Sequence, residues 1–403
     1  MNCRNCDKET IKFFSLGEMP LANSFLKEEE IPIEKKFDLS IGFCPRCYLV
    51  QLMKTVSTED LFRNYIYFSS NSTFFLEHCK FLANYLAKRL GLDPQSLVLE
   101  IASNDGAQLQ YFKKLGIKTL GVDPAKNIAE VANRKGIVTV PEFFNYNFAK
   151  KIKEEQKIQA DLILGANVLA HVPEIVDFVR GVKEVLKEKG TAVFEFPYLG
   201  GLIENKFDTI YHEHVFYYSL IALRNLFKKA NLEIYDVEKT QMQGGSLLIF
   251  ASHPNNFPIS DNVKNLLSQE IKEGFNRIEI YKKINNNVLK LKNDIISLLE
   301  KLKNEGKKIV AYSAPAKGNI LLNYFGINNN YLDFIVDKSE AKQGLYTPGT
   351  HLLVYSPEKI YQIKPDYLLI LSWNIADEVM VQLKKYHDNG GKFIIPIPSV
   401  RVI

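Results

Sequence analysis

Between Asp208 and Phe216 the chain sets Tyr211, His212, Glu213 and His214 side by side, placing a phenol, two imidazoles and a carboxylate in consecutive positions. Groups of these types exchange protons near neutral pH, and flanking aromatic residues can exclude water and shift their pKa values. The whole chain has seven histidines among 403 residues, so two in one short stretch is a concentration. Two readings are open from the residues alone, a reaction centre or a polar surface turn. Zinc is the first chemistry to exclude here. Paired zinc-binding histidines on a helix stand four apart with a glutamate after the first, whereas His212 and His214 are two apart. A strand would place both histidines on one face with Tyr211 and Glu213 on the other. A helix would bring Tyr211 to His214, and an irregular loop could converge all four.

Metal chemistry belongs instead to the start of the chain, where Cys3 and Cys6 form one C-x-x-C pair and Cys44 and Cys47 a second. Two such knuckles close a tetrahedral thiolate site for zinc, with a redox pair as the lesser alternative. Four thiolates leave zinc no open position, so the expected zinc is structural. It would tie together a segment of about 50 residues that would struggle to fold unaided. Cys79 lies in a helical pattern and reads as a small core residue.

From about residue 80 short apolar strands alternate with helices, the pattern of a parallel α/β sheet. A helix over Cys79 to Leu90 precedes a strand at Leu97–Ile101, then a turn through Ala102, Asn104, Asp105 and Gly106, then an amphipathic helix carrying Leu109, Phe112 and Leu115. The next strand, from Thr119, ends at Asp123, where nucleotide-binding α/β folds commonly hold ribose hydroxyls; Pro124 follows it. The first turn has a single glycine, Gly106, with Glu100 and Asp105 nearby, and so lacks the G-x-G-x-x-G pyrophosphate cradle. An acidic turn repels a pyrophosphate but suits a sulfonium and an amino group. S-adenosylmethionine is therefore the expected cofactor and methyl transfer the expected chemistry. Asn167, ending the strand from Leu162, is a further candidate contact beyond a strand carboxyl end. Glu142 or Phe143 could border the adenine, though Phe143 reads equally as core. His171 could merely satisfy a backbone group and ranks behind His214.

Amphipathic helices from about Val263 to Asn304 lead into a second alternating segment. Strands are expected at Ile309–Tyr312, Tyr331–Val336, Tyr367–Leu371 and Lys392–Ile395. The turn from Ser313 to Asn319 sits where a Rossmann phosphate loop would sit but lacks its glycine spacing, so bound NAD is not expected. Lys317, with a helix starting after Gly318, could hold the diphosphate of a sugar nucleotide, or the turn could simply be a tight one around Pro315 and Gly318. Trp373, the only tryptophan, follows a strand end and could touch substrate or fill a domain interface.

Composition fits these assignments. The chain is too long for one comfortable core, and a hydrophobic content of 46% supports several. No apolar run approaches the roughly 18 residues of a membrane span, and the first residues lack a signal-peptide pattern, so a cytoplasmic location is expected. A formal charge of +5, from 51 basic and 46 acidic residues without a dense arginine block, argues against nucleic acid as partner and suits a phosphate-bearing small molecule.

These features together resemble the three-domain S-adenosylmethionine-dependent sugar C-methyltransferases, which methylate nucleotide-linked 4-keto-deoxysugars at C3. The resemblance runs through both cysteine pairs, Pro20 to Phe25, Leu49 to Leu52, Tyr65 to Ser70, Glu100 to Gly106, Gly121 to Ala125 and Asn167 to Val172. It continues through Phe207 to His214, Gly244 to Ser246, Ala314 to Asn319, Val336 to Asp337 and Tyr346 to His351. It implies an α/β protein with a small zinc-binding domain over 1–68, a central Rossmann-like methyltransferase domain over 69–252 and a second Rossmann-like α/β domain over 253–403, acting as a monomer. It also implies that Tyr211, Glu213 and His214 line the reaction centre with His214 as base and that tyrosines near Tyr65, Tyr67 and Phe68 close over the sugar; Lys317, Asn319 and Trp373 are further candidate substrate contacts. Phe68 stands where some relatives have a phenol, and Leu248 where relatives often have arginine, so the identity of the sugar stays open.

In such a reaction a carbon beside a ketone must lose a proton before it can attack a methyl group. His214 is the expected base, Glu213 its orienting or stabilising partner, and Tyr211 the donor to the enolate oxygen. His212 is expected to be a structural neighbour rather than a substrate contact. Two rivals compete, an O-methyltransferase using His214 to deprotonate an alcohol, and a zinc-ribbon RNA-binding methyltransferase whose binding would fall steeply with salt.

Overall fold

The protein is described by a computed structural model covering residues 1–57, 61, 68–71 and 73–403. Tyr65 and Tyr67 lie outside the described residues, while Phe68 is half-buried.

Three antiparallel strands open the chain, β1 (Ile11–Pro20), β2 (Lys36–Phe43) and β3 (Val50–Leu52). Their inward residues Phe14, Leu16, Leu39, Ile41 and Phe43 are buried, but a sheet this small cannot supply its own core. It borrows one from the helix Ile278–Asn304, whose Tyr281 ring lies 4.9 Å from that of Phe43. The same helix carries a stripe of Ile284, Val288, Leu291, Ile295, Leu299 and Leu302, at three- and four-residue spacing, into a core shared with the C-terminal sheet.

The central sheet begins with β4 (Leu97–Ile101), β5 (Lys118–Val122), β6 (Thr139–Val140), β7 (Ala160–Ala166) and β8 (Leu186–Pro197), all parallel. Helices cover both faces, which is why runs such as Val98–Leu99 and Leu162–Leu164 are apolar without alternation. The chain then leaves this sheet through the segment carrying Tyr211 to His214 to form β9 (Phe216–Tyr217), which pairs with β3. It returns as β10 (Glu233–Thr240) and β11 (Ser246–Ser252), with β11 antiparallel to both β10 and β8. The order is β10-β11-β8-β7-β4-β5-β6. Because β4 lies between β5 and β7, connections leave it in opposite directions, and the crevice for a ligand opens beyond the carboxyl ends of β4 and β7.

The third sheet has the order β14-β13-β12-β15-β16-β17, built from β12 (Ile309–Tyr312), β13 (Ile335–Val336), β14 (Val354–Tyr355), β15 (Tyr367–Ile370), β16 (Lys392–Ile395) and β17 (Arg401–Val402). All are parallel except the terminal β17. Two expectations need correction. The strand expected over Tyr331–Val336 shrinks to its last two residues, because Tyr331 and Leu332 donate their N–H groups back to Asn328 in a turn. The helix expected after Gly318 already begins at Ala316 and ends at Phe325, with Pro315 as its N-cap residue. Gly318 lies within its first turn because a Cβ there would come 2.7 Å from the Leu371 side chain.

Candidate active site and metal centre

The four cysteines converge as their spacing suggests. Asp7 and Tyr48, each four residues after the first cysteine of its pair, take left-handed backbone conformations and donate their N–H groups back to Cys3 and Cys44, which folds both pairs into equivalent knuckles. All four sulfurs lie within 4.8 Å of one another, with Cys3 to Cys47 and Cys6 to Cys44 at 3.4 Å. Zinc–thiolate bonds of about 2.3 Å imply sulfur–sulfur edges of about 3.8 Å in a tetrahedron, so the cluster fits zinc closely. Cys3, Cys44 and Cys47 also pack into the core of the central sheet, which makes the ion a clamp between the first sheet and the central one.

At the end of β4 the chain turns through Ala102 and Asn104 at φ of 57° and 49° and Gly106 at 79°. Left-handed conformations at two non-glycine residues hold strain that a functional loop can use. Asp123 supports the turn, accepting N–H bonds from Asn104 and Ala125 at 2.9 Å each. Around it stand Glu100 and Asp105, both buried. Glu100 Oε2 and Asp105 Oδ1 have no hydrogen-bond partner among the described residues, although Asp105 Oδ2 pairs with Lys135 at 2.8 Å. Burial, and then the charges of Asp123 and Asp105, push the Glu100 carboxyl well above its usual range. Buried carboxyls with spare acceptor capacity suit a cationic guest, and S-adenosylmethionine brings a sulfonium and an ammonium. Pro124 and Phe143 are half-buried beside this turn's side of the sheet, Phe144 is the core residue of that pair, and Glu142 is exposed. Asn167 is left-handed at the end of β7, and its N–H bonds the Glu195 carbonyl at 2.6 Å.

Glu195 itself was not singled out from the sequence. Its buried carboxylate bridges His78 Nε2 at 2.7 Å and the Thr240 hydroxyl at 2.7 Å, so the helix Thr73–Leu90 is tied to the same carboxyl edge. Nothing local in the sequence marks a bond between residues 117 positions apart.

The segment carrying Tyr211 to His214 is an irregular loop, pinned where Val215 donates to the Ala170 carbonyl and Leu52 donates to that of Val215. His214 is 5% exposed and both ring nitrogens are occupied: Nδ1 lies 2.9 Å from the Thr209 carbonyl and Nε2 lies 2.7 Å from the Tyr211 hydroxyl. A carbonyl only accepts, so Nδ1 carries the proton and Nε2 presents its lone pair to the Tyr211 O–H. Burial, and then the neighbouring His171, hold the His214 pKa well below the ordinary histidine value, so the ring is neutral. His171 meets it edge-on with ring centres 5.0 Å apart, and burial pushes its own pKa down to about 4. The residue ranked behind His214 is therefore in direct contact with it.

Three roles change with the geometry. Thr209, not Glu213, orients the imidazole; the buried Glu213 carboxylate accepts from Asn23 Nδ2 at 2.5 Å and so ties the loop to the Pro20 to Phe25 stretch. Asn319, expected at the substrate, donates to the Ala22 carbonyl at 2.8 Å and braces that same stretch. Lys317 and Trp373 are each 8% exposed and lie beside Asp208. The Trp373 N–H donates to Asp208 at 2.6 Å, and Lys317 Nζ sits 5.4 Å from the Trp373 ring centre. Burial raises the Asp208 carboxyl to about 6 against the opposing pull of Lys317. His212, also a candidate substrate contact, bonds the Phe37 carbonyl at 3.2 Å and packs edge-on against the Phe37 ring. Asp208 and Asn23 went unnoticed as site-building residues although both lie in stretches that carry the family resemblance.

Comparison with known proteins agrees with this layout. A zinc binding domain family matches residues 3–62, a methyltransferase domain family matches 75–237 and a C-methyltransferase C-terminal domain family matches 241–398. The C-methyltransferase NovU of Streptomyces niveus is 34% identical over 405 residues, spanning 100% of this chain and 96% of its own. Solved structures match more distantly. The PH0226 protein of Pyrococcus horikoshii OT3 is 16% identical over 50% of this chain and 100% of its own, with a TM-score of 0.39. Magnesium protoporphyrin IX methyltransferase of Synechocystis PCC 6803 with bound SAM is 12% identical over 47% of this chain and 86% of its own, with a TM-score of 0.34. These two likenesses carry no weight in the assignment. The full-length relative, the matched families, the acidic cofactor turn and the four-cysteine cluster establish that the chain belongs to the S-adenosylmethionine-dependent C-methyltransferases with an N-terminal zinc-binding domain.

Proposed function

We propose that the enzyme methylates C3 of a nucleotide-linked 4-keto-deoxysugar, with His214 as the base that forms the enolate. The observation carrying this reading is a buried, neutral imidazole whose Nδ1–H is held by the Thr209 carbonyl and whose Nε2 lone pair is directed at the Tyr211 hydroxyl. A base held in one tautomer and kept neutral, with its lone pair ready to accept, is what removal of a proton beside a ketone requires.

When the ketone enters, Tyr211 turns its O–H from Nε2 to the carbonyl oxygen. Nε2 then takes the C3 proton while the Tyr211 hydroxyl stabilises the developing oxyanion, an interaction strongest in a site that excludes water. The Thr209 carbonyl holds Nδ1–H throughout, so the imidazolium forms without reorienting. Bound S-adenosylmethionine supplies an electrophilic methyl group on a cationic sulfur. Glu100, Asp105 and Asp123 would hold its cationic groups and ribose.

The decisive experiment incubates the enzyme with a nucleoside-diphosphate-linked 4-keto-6-deoxyhexose in heavy water without cofactor and follows C3 by NMR. Loss of the C3 proton, and a carbon-bound methyl once cofactor is added, are expected. No exchange together with an O-methyl product would instead establish alcohol methylation.

A further inference from the structure

We propose that Asp208 is a positioning residue for the base and that the C-terminal unit sets the base's orientation through Trp373, a proposal that rests on the reading of His214 as base. Asp208 is the middle residue of the single 3-10 turn Phe207–Thr209 and is fully buried. The carbonyl that holds His214 Nδ1–H belongs to the next residue, Thr209. A peptide group cannot tilt independently of its neighbour's side-chain anchor in a turn this short, so whatever fixes Asp208 also fixes the direction of that carbonyl.

Among the described residues the hydrogen-bonded anchor is Trp373. Its N–H donates to Asp208 Oδ2 at 2.6 Å, while Oδ1 has no partner among the described residues. The indole is itself gripped. Gly244, at φ 84°, packs so closely that a Cβ there would come 2.9 Å from the ring. On another side stands the buried Lys317, with Nζ 5.4 Å from the ring centre, placing a cation near the Asp208 carboxylate in water-poor surroundings. Lys317 and Trp373 follow the carboxyl ends of β12 and β15, which are paired parallel strands. The C-terminal unit therefore spends two residues of its own carboxyl edge on the loop of the base. Two packed units joined only for stability would need apolar contacts, not a buried carboxylate that takes a side-chain hydrogen bond from 165 positions away.

The test compares Trp373→Phe, which keeps a ring against Gly244 but removes the donor, with Asp208→Ala and with the double variant. Each is assayed for C3 exchange of the nucleoside-diphosphate-linked 4-keto-6-deoxyhexose in heavy water, and for S-adenosylhomocysteine affinity by calorimetry. Loss of a buried hydrogen bond to a charged group predicts a fall of roughly 10- to 100-fold in the exchange kcat, with KM and S-adenosylhomocysteine affinity unchanged. Since both residues act through one bond, the double variant should be no slower than the slower single. Wild-type kcat in the singles, losses that multiply in the double, or an effect confined to KM would overturn the proposal. If Asp208→Ala does not fold, Trp373→Phe decides alone on the same kcat and KM criteria. A fully active His214→Gln enzyme would remove the base reading itself; an inactive one beside a wild-type Trp373→Phe enzyme would remove only the positioning role.

Discussion

Replacing His214 by glutamine separates basicity from shape. The amide N–H of Gln can still donate toward the Thr209 carbonyl and its oxygen can still accept from Tyr211, so both contacts of the buried ring keep a partner. What disappears is a group able to take a proton. Positioned general bases contribute about 10²- to 10⁴-fold, which corresponds to about 3 to 5 kcal/mol of barrier. C3 exchange of the ketosugar should fall by that factor while S-adenosylhomocysteine affinity changes by less than about 2-fold, because the acidic cofactor turn lies on other elements. The pH profile gives a second check. Burial holds the folded-state pKa of His214 well below 6.5, so the working, neutral form is fully present at and above that pH. Wild-type exchange should therefore be flat from about pH 6.5 to 8 and decline only in acid. Turnover by His214→Gln within 2- or 3-fold of wild type, or a wild-type rate climbing roughly tenfold per pH unit across neutrality, would refute the assignment.

Removing zinc with a strong chelator, or changing Cys44 to Ser, should abolish stoichiometric zinc in the metal analysis and lower the thermal transition. The exchange chemistry of enzyme that stays folded should survive, because a four-thiolate site has no open position. Gly106→Ala should destabilise by about 1 to 3 kcal/mol in urea titrations, through a left-handed φ of 79° and a Cβ only 3.0 Å from Ile137. His171 is buried neutral with its pKa lowered to about 4 from 6.5. The unfolded chain therefore binds its proton first as pH falls, and stability is lost from about pH 6.5 down toward pH 4, by an order of about 3 kcal/mol. His171→Gln should lose less stability than wild type over that window; parallel stability curves would show the ring is not buried neutral.

How much of this was legible follows from sequence separation. Each cysteine knuckle is completed within five residues, and its backbone bonds are local, so spacing sufficed. The acidic turn is likewise a strand end followed by three special φ values, and the chemistry of a sulfonium site could be read from Glu100, Asp105 and Asp123 before their geometry was known. Strands β4, β12 and β16 appeared at their expected limits because short apolar runs bounded by turn formers have few alternatives. The expected strand at Tyr331 failed because β-forming residue types there are outcompeted by a turn at Asn328.

By itself, then, the sequence determined the chemistry available: four thiolates for zinc, an acidic turn for a cationic cofactor, and a proton-transfer group at His214. The tertiary structure decided who serves whom. Glu213 turns to Asn23 across 190 positions, Asn319 to Ala22 across 297, and Trp373 to Asp208 across 165. No periodicity encodes such partners, because a hydrogen bond requires its atoms within about 3 Å. Only the packing of three sheets on shared cores brings residues that far apart in the chain to that distance.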